Sequence, residues 1–158
     1  MRATMTDYTA FLEKVAEVTH IEAFAKADEA GLVSLTVDED YALNLQFVEA
    51  TGKIFCFAPV CELPAEAGAE PYRALLAANL FGVESAGGTF SLERESNTVV
   101  YSLLVDLTPE LEAERFVRTL EQVLELVKMW AEKLLGELTP AAEEKVDFTS
   151  VPDPRFLV

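Results

Sequence analysis

One histidine, two cysteines and one tryptophan occur among the 158 residues of this chain. One imidazole and two thiols five positions apart cannot complete a four-ligand zinc site without carboxylates that no spacing in the sequence places. Two cysteines also make no disulfide framework. A Cys56–Cys61 bridge is open to the sequence, but reduced, partly buried thiols are expected. The longest apolar runs, "VVYSLLV" and "IFCFAPVC", are far shorter than the roughly 20 residues of a membrane helix. The start, "MRATMTDYTAF", has no apolar h-region, so no secretory signal is expected and the cytoplasm is the expected compartment. Basic residues are scarce as well: 12 Lys and Arg stand against 28 Asp and Glu, a formal net charge of −16. That field repels phosphates and anionic lipid heads, which argues against nucleic acid and membrane surfaces as partners. It admits basic ones.

What the chain has is apolar content, 51% of its residues, too much for disorder despite the charge. A chain of this length buries roughly 68–70% of its unfolded surface, so one domain folds without a staple. No internal repeat or low-complexity tract interrupts it. The sequence predicts one domain over residues 1–136 and a C-terminal tail over 137–158, the latter of mixed polarity with three prolines.

Apolar spacing predicts a helix over 6–18, capped by Thr6, with Tyr8, Phe11, Leu12, Val15 and Val18 on one face. "IEAFAKADEAG" adds a further turn before Gly31. Strands are predicted at 32–37, 42–47 and 53–60. In the second, Leu43, Leu45 and Phe47 oppose Asn44 and Gln46. The third is apolar on both faces until Pro59, which suits a strand end or edge. Pro71 announces a second helix that stops at Gly82. Strands at 88–93 and 98–107 follow. Thr108 as N-cap and Pro109 at the first helical position then open the longest helix, which Gly136 ends. Its stripe is Phe116, Leu120, Val123, Leu124, Val127, Trp130 and Leu134. The order α-β-β-β-α-β-β-α with short strand links predicts an α+β fold with a five-stranded antiparallel sheet and flanking helices.

"GVESAGGT", Gly82–Thr89, has the spacing of a phosphate-binding loop with glycine where the lysine belongs. Such a loop needs a strand before it and a helix after it, and here that order is reversed. A turn explains the stretch: Gly82 closes a helix, and Gly87–Gly88 lets the chain swing into the next strand. No other catalytic inventory is present. His20 sits near a helix end, where a capping role suits it. Cys56 lies in an apolar strand, where burial raises a thiol pKa and makes it inert. Glu110, Glu112 and Glu114 suit a helix start, and Glu114 and Arg118 are spaced for an i,i+4 pair. A non-enzymatic protein without cofactor or metal is expected.

The strands at 53–58 and 99–105 carry large apolar residues on both faces. Helices on one side of the sheet would leave some of these in water, and exposed apolar area of that kind marks an interface. The segment "YRALLAANLFGVESAGGTFSLERESNTVVYSLLVDL" resembles the class I type III secretion chaperones, the Tir-chaperone-like group. Leu75, Leu76, Asn79 and Leu80 lead there into a Gly-Gly-Thr strand start and a valine-rich last strand. Phe116, Leu120, Trp130 and Leu134 of the final helix, and "DEAGLVSLTVDED", are similar too. The resemblance runs from Tyr8 to Leu135.

That resemblance implies an acidic cytoplasmic homodimer that holds the N-terminal segment of a secreted effector in extended form. It implies dimer contacts at Leu75, Leu76, Asn79, Leu80, Phe90 and Leu92. Cargo contacts would fall at Phe11, Leu12, Leu32, Leu43, Leu45, Phe47, Phe55 and Phe57. A regulatory or scaffold module of the same fold, with a folded partner and no unfolded client, is the alternative. Co-purification separates the two.

Overall fold

A computed structural model describes residues 1–137; the rest of the expected tail lies outside the described residues. The first helix, α1 (Met5–Thr19), starts one residue earlier than the expected 6–18. Thr4, not Thr6, caps it. The Thr4 side chain accepts from the Asp7 amide at 3.3 Å, and Asp7 Oδ2 accepts from the Thr4 amide at 2.8 Å. This is a capping box with aspartate in the place usually held by glutamate. Tyr8, Phe11, Leu12 and Val15 are buried, but Val18 is 39% exposed. The helix is ending there, with His20 closing it in the left-handed region at φ 56°. A 3-10 turn, Glu22–Ala25, follows.

Five strands come next: β1 (Leu32–Val37), β2 (Tyr41–Val48), β3 (Lys53–Glu62), β4 (Thr89–Glu93) and β5 (Thr98–Asp106). They form one antiparallel sheet in the order β1-β2-β3-β5-β4. Helix α2 (Glu70–Asn79) joins β3 to β4, and α3 (Ala113–Glu132) follows β5. The α+β architecture and element order expected from the sequence are those observed.

Strand β3 does not end at Pro59. It runs on to Glu62, with a register shift against β5 between Pro59 and Cys61. Pairing with β2 stops at Phe57, so the missing proline N–H has no ladder partner to fail on that side. The last helix likewise departs from expectation. Thr108-Pro109-Glu110-Leu111 forms a turn, with the Leu111 amide bonded to the Thr108 carbonyl at 3.1 Å. Proline's fixed φ suits the second position of a turn as well as the first of a helix. α3 therefore begins only at Ala113, with Glu112 as an extended N-cap that makes no side-chain bond. At the other end Gly136 does not stop the helix but lies inside a wider π-turn, Lys133–Glu137, in which Leu134 remains fully buried. Glu114 and Arg118 do not pair with each other, nor with any other described residue.

The core lies between one face of the sheet and the helices α1 and α3. Tyr8 stacks on Phe47 with ring centroids 5.0 Å apart, Phe11 meets Phe116 edge-on at 5.3 Å, and Phe90 tilts against Trp130 at 4.9 Å. From the sheet come Val33 and Leu35, then Leu43, Leu45 and Phe47, then Ile54, Cys56 and Ala58, and finally Val99 and Tyr101, all buried. Each large side chain so covered stabilises the fold by about 1.5–3 kcal/mol. Of the expected α3 stripe, all but the half-buried Leu124 are buried.

Candidate protein-binding surfaces

The helices cover only one side of the sheet, and this sorts the expected contact residues. Phe11, Leu12, Leu43, Leu45 and Phe47 are core residues, between 0 and 7% exposed. They point from α1 and β2 into the layer between helices and sheet, so a cargo chain cannot reach them without opening the fold. Phe11 keeps an edge towards solvent, in a groove of about 340 Å³ that it lines with Leu107, Pro109, Leu111, Lys14 and Asp7. Leu32, Phe55 and Phe57 stand on the opposite side of the sheet and are half-buried.

That opposite side is an uncovered apolar face. Register places Phe55 beside Gln46 and Leu104, and Phe57 beside Asn44 and Ser102. The two phenylalanine rings stack at 5.2 Å, and Leu104 is 53% exposed. Val100 and Leu32 extend the face on either side. Two of its neutral polar groups are bonded within the chain: Ser34 Oγ donates to Asn44 Oδ1 at 2.8 Å, and Gln46 Nε2 to the Ala30 carbonyl at 2.6 Å. Charge reaches this face at its margins, where Lys53 pairs with Asp106 at 3.5 Å and where Glu62 and Glu93 end β3 and β4. Depletion of charge with enrichment of aromatics is the compositional mark of an interface centre.

A second surface lies along α2 and the loop after it. Leu76 is 72% exposed, Leu80 62% and Leu92 42%. The other three residues expected with them serve the fold. Leu75 and Phe90 are buried, and Asn79 clamps β4, its Oδ1 accepting from the Phe90 amide at 2.8 Å and its Nδ2 donating to the Phe90 carbonyl at 2.9 Å. Asn79 thus closes the outer edge of the sheet at Phe90. Two neighbours that sequence reasoning missed complete the patch: Phe81, 91% exposed, and Val83, 78% exposed. Phe81 sits at φ 57°, a conformation costly for a bulky side chain. The only available signal was an aromatic residue immediately before a helix-ending glycine.

The loop that follows has no phosphate-binding capacity. The Gly87 amide bonds to the Gly82 carbonyl at 2.8 Å and the Gly88 amide to the Ser85 carbonyl at 2.9 Å, so these donors are occupied. Tyr101 Oη donates to the Ser85 carbonyl at 2.7 Å, and a Cβ on Gly88 would run into the Tyr101 hydroxyl oxygen. Glycine at 88 is therefore a packing requirement. Nor are the thiols poised for chemistry. Both are free, and burial pushes Cys56 up to about 12 and Cys61 up to about 11. Asp7, in the groove beside Phe11, is held below the usual carboxylate value by its hydrogen bonds from Thr4. It is a helix cap.

A half-covered sheet, a second apolar patch at its edge and side chains committed to packing define a protein-recognition domain. The chain belongs to the Tir chaperone protein (CesT) family, which its residues 11–131 match. No curated protein sequence matches it. Among solved structures, it is similar to a chain of the ExsC–ExsE complex at 20% identity and TM-score 0.71, over 90% of this chain and 100% of that one. A chain of the HopA1–SchA chaperone–effector complex matches at 18% identity and TM-score 0.67, over 82% and 98%. The complex of the Yersinia pestis type III secretion chaperone SycH with a stable fragment of YscM2 matches at 16% and 0.63, over 78% and 98%. At these identities the likeness is one of fold. No described helix is long and apolar enough to cross a membrane.

Proposed function

We propose that the protein is an export chaperone of type III secretion. As a homodimer it binds the N-terminal segment of a secreted effector in extended, non-globular form and keeps it soluble and competent for secretion. It works in the cytoplasm, by binding alone, without a catalytic residue or cofactor. The observation that carries this reading is the uncharged apolar sheet face around Phe55, Phe57 and Leu104 in a chain of net charge −16. Family membership agrees with it.

The two surfaces divide the work. Leu76, Leu80 and Leu92, joined by Phe81 and Val83, form the contact between two copies. Leu75, Asn79 and Phe90 hold that contact in place from within each copy. Leu32, Phe55 and Phe57 receive apolar side chains of the cargo. Beyond Leu32, which bonds to Asp28, the outer backbone edge of β1 has no partner among the described residues. An extended cargo segment can add there as a further strand. Ordering the cargo costs entropy, so a long interface offsets that loss. The acidic shell keeps the loaded particle dispersed and favours basic flanks on the cargo.

Pull-down from the native cytosol tests the proposal. The expected outcome is recovery of a protein held through its first ~50–100 residues, a span suited to wrapping. Recovery of a folded partner through an interior domain would replace the reading with a regulatory or scaffold module of the same fold.

A further inference from the structure

The stretch that follows α2 holds its backbone where most side chains resist going. Phe81 lies at φ 57° and ψ 9° and Ala86 at φ 50°, each followed by a glycine that is left-handed too, Gly82 at φ 68° and Gly87 at φ 82°. For an aromatic residue that conformation is unfavourable, whereas glycine would adopt it freely. The ring gains little in return within the chain, since Phe81 is 91% exposed. What keeps it there is the loop behind it. The Gly87 amide donates to the Gly82 carbonyl, Ser85 Oγ to the Gly88 carbonyl at 2.7 Å, and Tyr101 Oη of β5 to the Ser85 carbonyl. Ser85 is fully buried, and Asn79 fastens the end of α2 to β4 just before the turn. A backbone strained by its surroundings, with its apolar side chain in water, leaves an uncompensated cost in the single chain. Resting on the homodimer reading, we propose that Phe81 is a pre-set anchor between two copies: the loop pinned by Tyr101 fixes the ring in its docked position before the copies meet.

A second copy is the occupant that the patch fits. Leu76, Leu80, Phe81, Val83 and Leu92 together expose roughly 700 Å², close to the about 800 Å² that each partner contributes to a standard interface. These five side chains carry no charge, and Arg73, the one cation of α2, is engaged with Glu70 at 3.5 Å. Two chains of net charge −16 repel each other, so a contact between them has to rest on uncharged surface such as this. Across a twofold axis the ring is buried twice. A rigid aromatic side chain on a backbone already fixed loses little freedom on docking. The loop therefore trades stability of the single copy for affinity of the pair.

Phe81→Gly in the full chain tests that trade, because affinity and stability should move in opposite directions. By analytical ultracentrifugation the variant should show a dimer Kd about a hundredfold or more above the wild type. In a Leu76→Glu background, where the chain is expected to be monomeric, the same substitution should raise Tm by about 2–4 °C, since glycine relieves the left-handed position. Tyr101→Phe, which releases the Ser85 carbonyl, should raise Kd about tenfold, and should add nothing once Phe81 is glycine. A role of Tyr101 in folding alone would not depend on the residue at 81. If Leu76→Glu breaks the dimer and Phe81→Gly leaves Kd unchanged, the anchor fails and the homodimer reading stands. A lower Tm for Phe81→Gly in the monomeric background would also overturn the proposal, because the conformation would then carry no cost. An equal effect of Tyr101→Phe with either residue at 81 would overturn the pinning. A wild type that is monomeric at micromolar concentration would overturn both the anchor and the homodimer.

Discussion

Replacing Leu76 by glutamate separates assembly from folding. In the single chain 72% of Leu76 faces solvent, so a carboxylate there stays hydrated and the monomer fold is unaffected. In the proposed dimer the side chain is covered. Full burial of a leucine is worth about 1.5–3 kcal/mol, so the exposed fraction contributes roughly 1–2 kcal/mol per copy. A twofold contact contains the residue twice, giving about 2–4 kcal/mol for Leu76→Ala. Glutamate adds the cost of drying two carboxylates, which brings the loss above about 5 kcal/mol and raises the dimer Kd by more than about a thousandfold. Light scattering at micromolar concentration should give twice 17.4 kDa for the wild type and 17.4 kDa for the variant. Circular dichroism and the melting profile in the monomer range should match. Leu75→Glu is the contrast: Leu75 is 7% exposed, so that change should unfold the chain. A Leu76→Glu protein that stays dimeric with unchanged concentration dependence would refute the assignment of this patch.

Asn79→Ala should cost about 2 kcal/mol by leaving the Phe90 N–H and C=O unpaired, with no change in scattering mass; denaturant titration reads it. Gly88→Ala would set a methyl group 2.3 Å from Tyr101 Oη and 2.5 Å from the Ser102 carbonyl. A loss of about 3 kcal/mol, roughly 6–12 °C in Tm, is expected by calorimetry. With its pKa raised to about 12 by burial, Cys56 is ~10⁻⁴ thiolate at about pH 8. Iodoacetamide should therefore label it orders of magnitude more slowly in the native protein than in denaturant, and fast native labelling would contradict its burial.

Much of this fold was legible because two periodicities alternate cleanly along the chain. The Leu43-Leu45-Phe47 row, opposed by Asn44 and Gln46, even carried the sign of its own burial: a row backed by polar residues faces the core. Placing it among cargo contacts overlooked that sign. In β3 the pattern is silent, since Ile54, Cys56 and Ala58 on one face and Phe55 and Phe57 on the other are all apolar. Only the packing of α1 and α3 decides between them. Thr108-Pro109 was ambiguous because one fixed φ serves a turn and a helix start alike. Thr4 was missed because aspartate replaced the usual glutamate of its box. Phe81 and Val83 owe their exposure to a left-handed residue after α2, which spacing does not encode. The family was legible from the run Leu75 to Leu107 as an order of elements with a few fixed side chains.

Photocrosslinking from position 57 addresses the central claim most directly. With Phe57 replaced by a photoreactive phenylalanine analogue in the full chain, irradiation of cells producing it should yield an adduct with a different polypeptide. Mass spectrometry should place the joined peptide near that polypeptide's N-terminus, and the same analogue at the exposed Glu17 should give no such adduct. Adducts formed only with other copies of this chain, or none above the Glu17 control, would contradict the account.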